Sequence, residues 1–244
     1  MVYFLSDFHL RINCETSSQR EKKIVKFLYS ISDSATEIYF MGDLFDFWYE
    51  YNLVIPKGFT RLFGAFHYLL EKGIKLYIFT GNHDMWMFGY FEKEFGIPVY
   101  HDLLQKEILG KKFLLGHGDG KGPEDKGYKI IRKILRHPLC VWVFGILPAD
   151  WGLSLAHFWS KKSRDAQIGD VKEKFMGADK EWLIQYCNRR LEKEHIDFFV
   201  FAHRHLPIQY DLNKTSQYIN CGDWINHNSY ALWDGDSMRL LKWE

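Results

Sequence analysis

Cysteine is sparse and irregularly placed in this chain: Cys14, Cys140, Cys187 and Cys221 stand far apart, with no C-x-x-C pair. Such spacing suggests neither a disulfide framework nor a zinc knuckle, and it fits a reducing compartment best. Long apolar runs are also lacking. The longest uncharged one, Pro138 to Ala149, falls far short of the roughly 20 residues that a membrane-spanning helix needs. The N-terminus runs from Val2-Tyr3-Phe4-Leu5 directly into polar and acidic residues, without the basic start and longer apolar core of a secretory signal. The expectation is a cytoplasmic protein. No internal repeat, low-complexity tract or Gly/Ser/Pro-rich linker divides the 244 residues, so one domain with an inserted subdomain is expected.

A large net charge is absent too. At +1, and without a recognisable binding module, the chain is not expected to bind nucleic acid. The balance is uneven, however. Between Lys121 and Arg164 nine basic residues face three acidic ones, so this segment carries +6 and the remainder −5. An anionic partner is one reading of that run and a solvated helical face is the other. Aromatic residues, by contrast, are abundant at 18%, and Trp142, Phe144, Trp151, Phe158 and Trp159 crowd into the same basic segment. Lys126 to Arg136 and Trp151 to Arg164 have helical patterning, which predicts a helical cap inserted at about 121–177 within a domain of 1–244.

Elsewhere short apolar runs end in loops rich in Asp, Gly, Asn and His. They are VYFLSDFH, EIYFMGD, KLYIFTGNHD, KFLLGHGD and DFFVFAHRH, each read as a buried strand delivering polar residues at its C-terminal end. Helical patterns lie at Gln19 to Ser30, Phe59 to Lys72, Met85 to Phe95 and Lys174 to Glu194. Strands alternating with helices predict an α/β core with its site at the carboxyl ends of the strands. After His205 four short strand-like pieces follow without a helical run, and they read as an antiparallel second sheet.

The chemistry sits in those loops: Asp7-Phe8-His9, Gly42-Asp43, Gly81-Asn82-His83-Asp84, Gly116-His117-Gly118-Asp119 and His203-Arg204-His205. One such block is weak evidence; all of them in order, each after an apolar run, point to a shared metal site. Imidazoles mixed with carboxylates and an amide suit manganese, with iron or zinc as alternatives. Two divalent cations close together need a bridging carboxylate, for which Asp43 is the natural choice.

The blocks resemble the calcineurin-like metallophosphoesterase pattern D-x-H, G-D, G-N-H-D, H, G-H-x-H over almost the whole chain, with Ala202 replacing Gly before the last histidine pair. The resemblance implies an α/β four-layer sandwich of two mixed β-sheets flanked by helices. It implies one metal at Asp7, His9, Asp43 and His205 and a second at Asp43, Asn82, His117 and His203. It also gives His83 the part of leaving-group acid or charge stabiliser, with Asp84 orienting it.

A narrower resemblance, to the UDP-2,3-diacylglucosamine hydrolase family of lipid A biosynthesis, is carried by Gly42-Asp43-Leu44-Phe45-Asp46-Phe47-Trp48 and by His117 to Asp125, Tyr128 and Arg132. A basic stretch, Ser160-Lys161-Lys162-Ser163-Arg164, follows the insertion as it does in that family. The resemblance implies cleavage of a lipid-linked diphosphate to a lipid monophosphate and UMP. Asn82, His83, Asp125, Tyr128, Ser160 and Arg164 are then the candidate substrate contacts, and the protein would touch the cytoplasmic face of the inner membrane peripherally. One departure is His83, where the best-known hydrolases of that family have Arg. A soluble nucleotide or another phospholipid is the alternative substrate. A non-catalytic binding role would be marked by lost ligands, and none is missing.

Overall fold

The computed structural model describes residues 1–122, 126–156 and 174–244, without the side chains of Lys126 and Tyr128. Among the described residues eleven strands form two sheets. The first contains β1 (Val2–Leu5), β2 (Glu37–Phe40), β3 (Lys75–Phe79), β4 (Val99–Tyr100), β10 (Ser229–Trp233) and β11 (Met238–Lys242), in the order β11-β10-β1-β2-β3-β4. The second contains β5 (Leu104–Ile108), β6 (Lys111–Leu115), β7 (Phe198–Phe201), β8 (Pro207–Asp211) and β9 (Gln217–Cys221), in the order β5-β6-β7-β9-β8. Both mix parallel and antiparallel pairs: β1 runs parallel to β2 and antiparallel to β10, while β7 runs parallel to β6 and β9.

The near-continuous apolar strands make sense once both faces are covered. Val2 and Phe4 point into the space between the sheets, where Phe4 stacks on Phe113 at 5.8 Å and Phe113 meets Trp233 at 5.9 Å. Their alternates, Tyr3 and Leu5, face α1 (Glu15–Ser30) and α2 (Thr60–Glu71) through Ile24, Phe27, Leu28, Leu62, Phe66 and Leu69. On the far side Leu114, Phe199 and Phe201 pack on Leu183, Ile184 and Cys187 of α7 (Trp182–Leu191). The four layers expected from the sequence are therefore helix, sheet, sheet, helix. Each such large side chain removed from water contributes about 1.5–3 kcal/mol.

Three expectations are corrected. The C-terminal strands do not make a sheet of their own: β8 and β9 complete the second sheet, whereas β10 and β11 cross over to the first. The helix expected from Met85 begins only at Tyr90, as α3 (Tyr90–Phe95). Before it, Trp86 bridges in parallel to Tyr49, Gly89 takes φ 128°, and the N–H groups of Phe88 and Tyr90 donate to the Glu50 carboxylate. The helix expected from Lys174 starts at Trp182, because the buried Glu181 is extended and held by Arg204 Nε at 3.0 Å.

Within 121–177, where an inserted cap is expected, the described residues form α4 (Lys126–Leu135), α5 (Pro138–Ile146) and α6 (Ala149–Ala156). Pro138 occupies the first turn of α5, where its missing N–H costs no bond. Phe144 packs against Trp86, Tyr49 and Phe47 at 4.7, 4.9 and 5.5 Å between ring centroids. Trp86 Nε1 donates to the Leu135 carbonyl at 2.9 Å and Tyr49 Oη to that of Val141 at 2.8 Å. The outward side is apolar, with Trp142 62%, Ile146 61% and Trp151 71% exposed. Among the described residues no single helix is long and apolar enough to cross a membrane; α5 and α6 pass that test only as a pair bent by 120°.

Candidate metal centre

The polar blocks meet where β1, β2, β3, β6 and β7 end. Asp7, His9, Asp43, His203 and His205 all have positive φ, between 43° and 68°. A side chain in that conformation costs about 1–2 kcal/mol, so the surrounding bonds must hold it there. Asp7 N–H donates to the Gly42 carbonyl at 3.1 Å and His9 N–H to that of Asp43 at 2.9 Å. Arg20 Nη1 donates to the carbonyls of Phe8 and His9 at 2.7 and 2.9 Å. Phe8, between the two polar residues, turns away into the core against Phe40 and Trp224.

Two donor groups result, sharing one atom. In the first, Asp7 Oδ1 lies 3.6 Å from His9 Nε2 and 3.3 Å from His205 Nε2, and the two Nε2 atoms are 3.3 Å apart. Asp43 Oδ2 is 3.6 Å from His9 Nε2 on one side and 3.3 Å from His117 Nε2 on the other. The second group adds Asn82 Oδ1, 3.1 Å from His117 Nε2, and His203, whose ligand atom lies within 4.8 Å of those of Asp43 and His117. Donors held at about 2.0–2.2 Å from a cation are about 3–3.5 Å from each other, close to the 3.1–3.6 Å found between these pairs. Asp7 Oδ1 is buried without a hydrogen-bond partner, as a metal donor should be. The residues fit two divalent ions bridged by Asp43.

Electrostatics point the same way. Burial alone would depress His9, but Asp46, Asp7 and Asp43 carry it up to about 10. His117 is likewise raised to about 10 against burial, chiefly by Asp43. His203 falls to about 4 through burial and the nearby His117 charge. The carboxylates thus demand positive charge, and protons and cations compete for the same nitrogens.

Facing away from the centre, His117 Nδ1 and His205 Nδ1 each have a hydrogen-bond acceptor, while His9 Nδ1 has a carboxylate just beyond hydrogen-bond reach. His9 Nδ1 is 3.6 Å from Asp46 Oδ1, His117 Nδ1 is 3.0 Å from the Met41 carbonyl, and His205 Nδ1 is 3.3 Å from Asp223 Oδ2. These partners orient the rings. The sequence reading did not single them out. Asp46 had a signal, lying three residues after Asp43 in the same loop, whereas Asp223 and a backbone carbonyl had none.

His83 lies beside the first group, its ring edge-on to His9 at 4.7 Å. Burial lowers its pKa. Its Nδ1 is 3.1 Å from the Asp46 carbonyl, and its backbone N–H donates to Asp43 Oδ1 at 2.8 Å, leaving Oδ2 for the shared position. Asp84 does something other than expected: it accepts from the N–H groups of Gly81, Leu44 and Phe45 at 2.7, 2.8 and 3.4 Å. It ties the two loops together, and the orienting contact for the His83 ring comes from Asp46. Burial, with the Asp43 charge, pushes Asp84 up to about 7. Arg132 of α4 pairs with the buried Asp119 at 3.0 Å, linking the insertion to the loop of His117. Asp125, Ser160 and Arg164 lie outside the described residues, as does the Tyr128 side chain.

A donor set of imidazoles, amide and carboxylates around a shared aspartate, at the strand ends of a two-sheet sandwich, defines the class: a dinuclear metallohydrolase. The calcineurin-like phosphoesterase family matches residues 1–207, and the chain belongs to that family. It is a hydrolase acting on phosphoric ester bonds. A UDP-2,3-diacylglucosamine hydrolase of Porphyromonas gingivalis is 34% identical over 255 residues, covering 100% of this chain and 97% of the relative. One from Psychromonas ingrahamii is 26% identical, over 98% and 95%. Among solved structures, the E. coli phosphoesterase Yfce has a TM-score of 0.47 at 14% identity, over 99% and 92%.

Proposed function

We propose that the protein hydrolyses the diphosphate of UDP-2,3-diacylglucosamine or a closely similar lipid-linked nucleotide, releasing a lipid monophosphate and UMP. The observation that carries this reading is the likeness to the Porphyromonas gingivalis hydrolase, which runs through the insertion as well as the metal blocks. Asp7, His9, Asp43 and His205 would hold one cation and Asp43, Asn82, His117 and His203 the other. Manganese is the proposed metal, with iron or zinc also suited to the donors. Bound there, two such ions supply Lewis acidity toward phosphoryl oxygens and a water nucleophile at neutral pH.

The chain's own groups set the rest. The His83 N–H holds Asp43 through Oδ1, so that Oδ2 would be the oxygen offered to the cations. The His83 ring, held through Nδ1 by the Asp46 carbonyl, would pass a proton from Nε2 to a leaving oxygen. Asn82, Asp125, Tyr128, Ser160 and Arg164 are the proposed substrate contacts. The exposed apolar side of α5 and α6, beside the basic α4, suits acyl chains and anionic headgroups, so the proposed place of action is the cytoplasmic membrane surface.

Product analysis decides this. Metal-loaded protein should convert UDP-2,3-diacylglucosamine to UMP and lipid monophosphate, and should act far less on the unacylated nucleotide sugar. Equal turnover of both would move the soluble-substrate reading ahead. Flotation with anionic vesicles tests the membrane contact separately, and absence from the vesicle fraction would remove it.

A further inference from the structure

The segment joining β9 to β10, Gly222 to Asn228, crosses from one sheet to the other and lies beyond residue 207, where the family match ends. It supplies none of the donors named above, yet it touches the first group twice. Trp224 N–H donates to the Asp7 carbonyl at 3.2 Å, and Asp223 Oδ2 lies 3.3 Å from His205 Nδ1. Ser6 Oγ donates to the Gly222 carbonyl at 3.0 Å, which closes the bracket onto the loop after β1 that bears Asp7.

Asp223 is wholly buried, and its contacts leave it one orientation. Oδ1 accepts from the N–H groups of Asn226 and His227, both at 2.9 Å, and sits 3.1 Å from His227 Nδ1. Oδ2 is left for His205. An acceptor there favours the proton on His205 Nδ1 and so presents an unprotonated Nε2, 3.3 Å from both Asp7 Oδ1 and His9 Nε2. A charged acceptor also makes that nitrogen a stronger donor to a metal than a neutral carbonyl would.

We propose that Asp223, steadied by His227, is a positioning residue that selects the orientation and tautomer of His205 and thereby sets cation affinity at the first donor group. The proposal rests on the reading of Asp7, His9, Asp43 and His205 as donors to one cation. It makes the crossover after the last ligand part of the centre, although no ligand motif marks it.

Asp223→Asn keeps the size and removes the charge. Equilibrium dialysis of the full-length protein against Mn²⁺ should show one equivalent bound about 10–100-fold more weakly, with the other close to wild type. His227→Gln should weaken the same equivalent by less. In metal-free protein at mildly alkaline pH, ¹⁵N NMR of His205, assigned by its disappearance in His205→Gln, should show the Nδ1-protonated ring in wild type and a tautomer mixture in Asp223→Asn. If His205→Gln keeps both equivalents at full affinity, the donor reading fails. If it loses one while Asp223→Asn binds like wild type, the donor reading stands and the positioning role is overturned. Should Asp223→Asn not fold, the wild-type spectrum still decides: an Nε2-protonated His205 refutes the proposal and an Nδ1-protonated one supports it.

Discussion

Gly81 offers a sharp test of how the centre is built, because its backbone φ is not in the left-handed region and only space is at issue. A Cβ there would lie 2.1 Å from Asp43 Oδ1 and 2.6 Å from Asp43 Cγ, where ordinary contact begins at 3.4 Å. The same Cβ would lie 2.7 Å from the Asp43 backbone nitrogen, so Gly81→Ala must drive the Asp43 carboxylate back by about 1.3 Å and also push the two loops apart against the bonds that Asp84 makes to Gly81, Leu44 and Phe45. Overpacking of this kind costs about 1–3 kcal/mol of stability, which a domain of this size can survive. The catalytic cost should be larger if Asp43 is the shared donor proposed above, since a misplacement of about 1 Å lowers rates by roughly 10²-fold. The assay combines thermal unfolding, metal analysis and turnover of a small phosphodiester. A folded Gly81→Ala protein with a full metal complement and wild-type kcat would refute the contact and the bridging role drawn from it.

Asp43→Ala should abolish turnover and weaken both cation positions, and metal analysis that finds both filled in an active variant would contradict the bridge. His83→Ala should retain its metals and lose roughly 10²–10⁴-fold in kcat if the ring acts as an acid. The loss should be smaller with a p-nitrophenolate leaving group, which needs no proton, and an equal loss would favour charge stabilisation. Cation binding should release protons near neutral pH, since His9 and His117 are raised to about 10 and must give up their protons to bind metal. Affinity should accordingly fall as pH falls; calorimetry in buffers of different ionisation heat that detects no proton release would count against it. Phe144→Ala removes the aromatic contact of α5 with Phe47, Tyr49 and Trp86. It should raise KM for the acylated nucleotide while sparing a small phosphodiester, and equal effects on both would make the insertion merely structural.

The convergence of the polar blocks was legible because Asp, Asn and His stand together at strand ends, and apolar runs before them mark those strands. The α/β layering was legible for a related reason: strands such as Val2–Leu5 are apolar on both faces and so must be covered twice. Strand partners were not legible. Ser229–Trp233 and Gln217–Cys221 look alike locally, yet one pairs with β1 and the other with β7, a choice set by tertiary packing. Met85 to Gly89 suits a helix by composition and is kept out of one by its bridge to Tyr49 and by its bonds to Glu50. Asp223 was invisible for a third reason. It acts through contacts made across the fold, on a ligand 18 residues earlier in the chain.

The central claim is that residues from Asp7 to His205 converge on two cation positions joined by Asp43. Anomalous diffraction from crystals grown with Mn²⁺, recorded on either side of the manganese edge, measures this directly. Two peaks are expected, one bounded by Asp7, His9, Asp43 and His205 and the other by Asp43, Asn82, His117 and His203, with an Asp43 oxygen between them. A single peak, or peaks that Asp43 does not touch, would contradict the account.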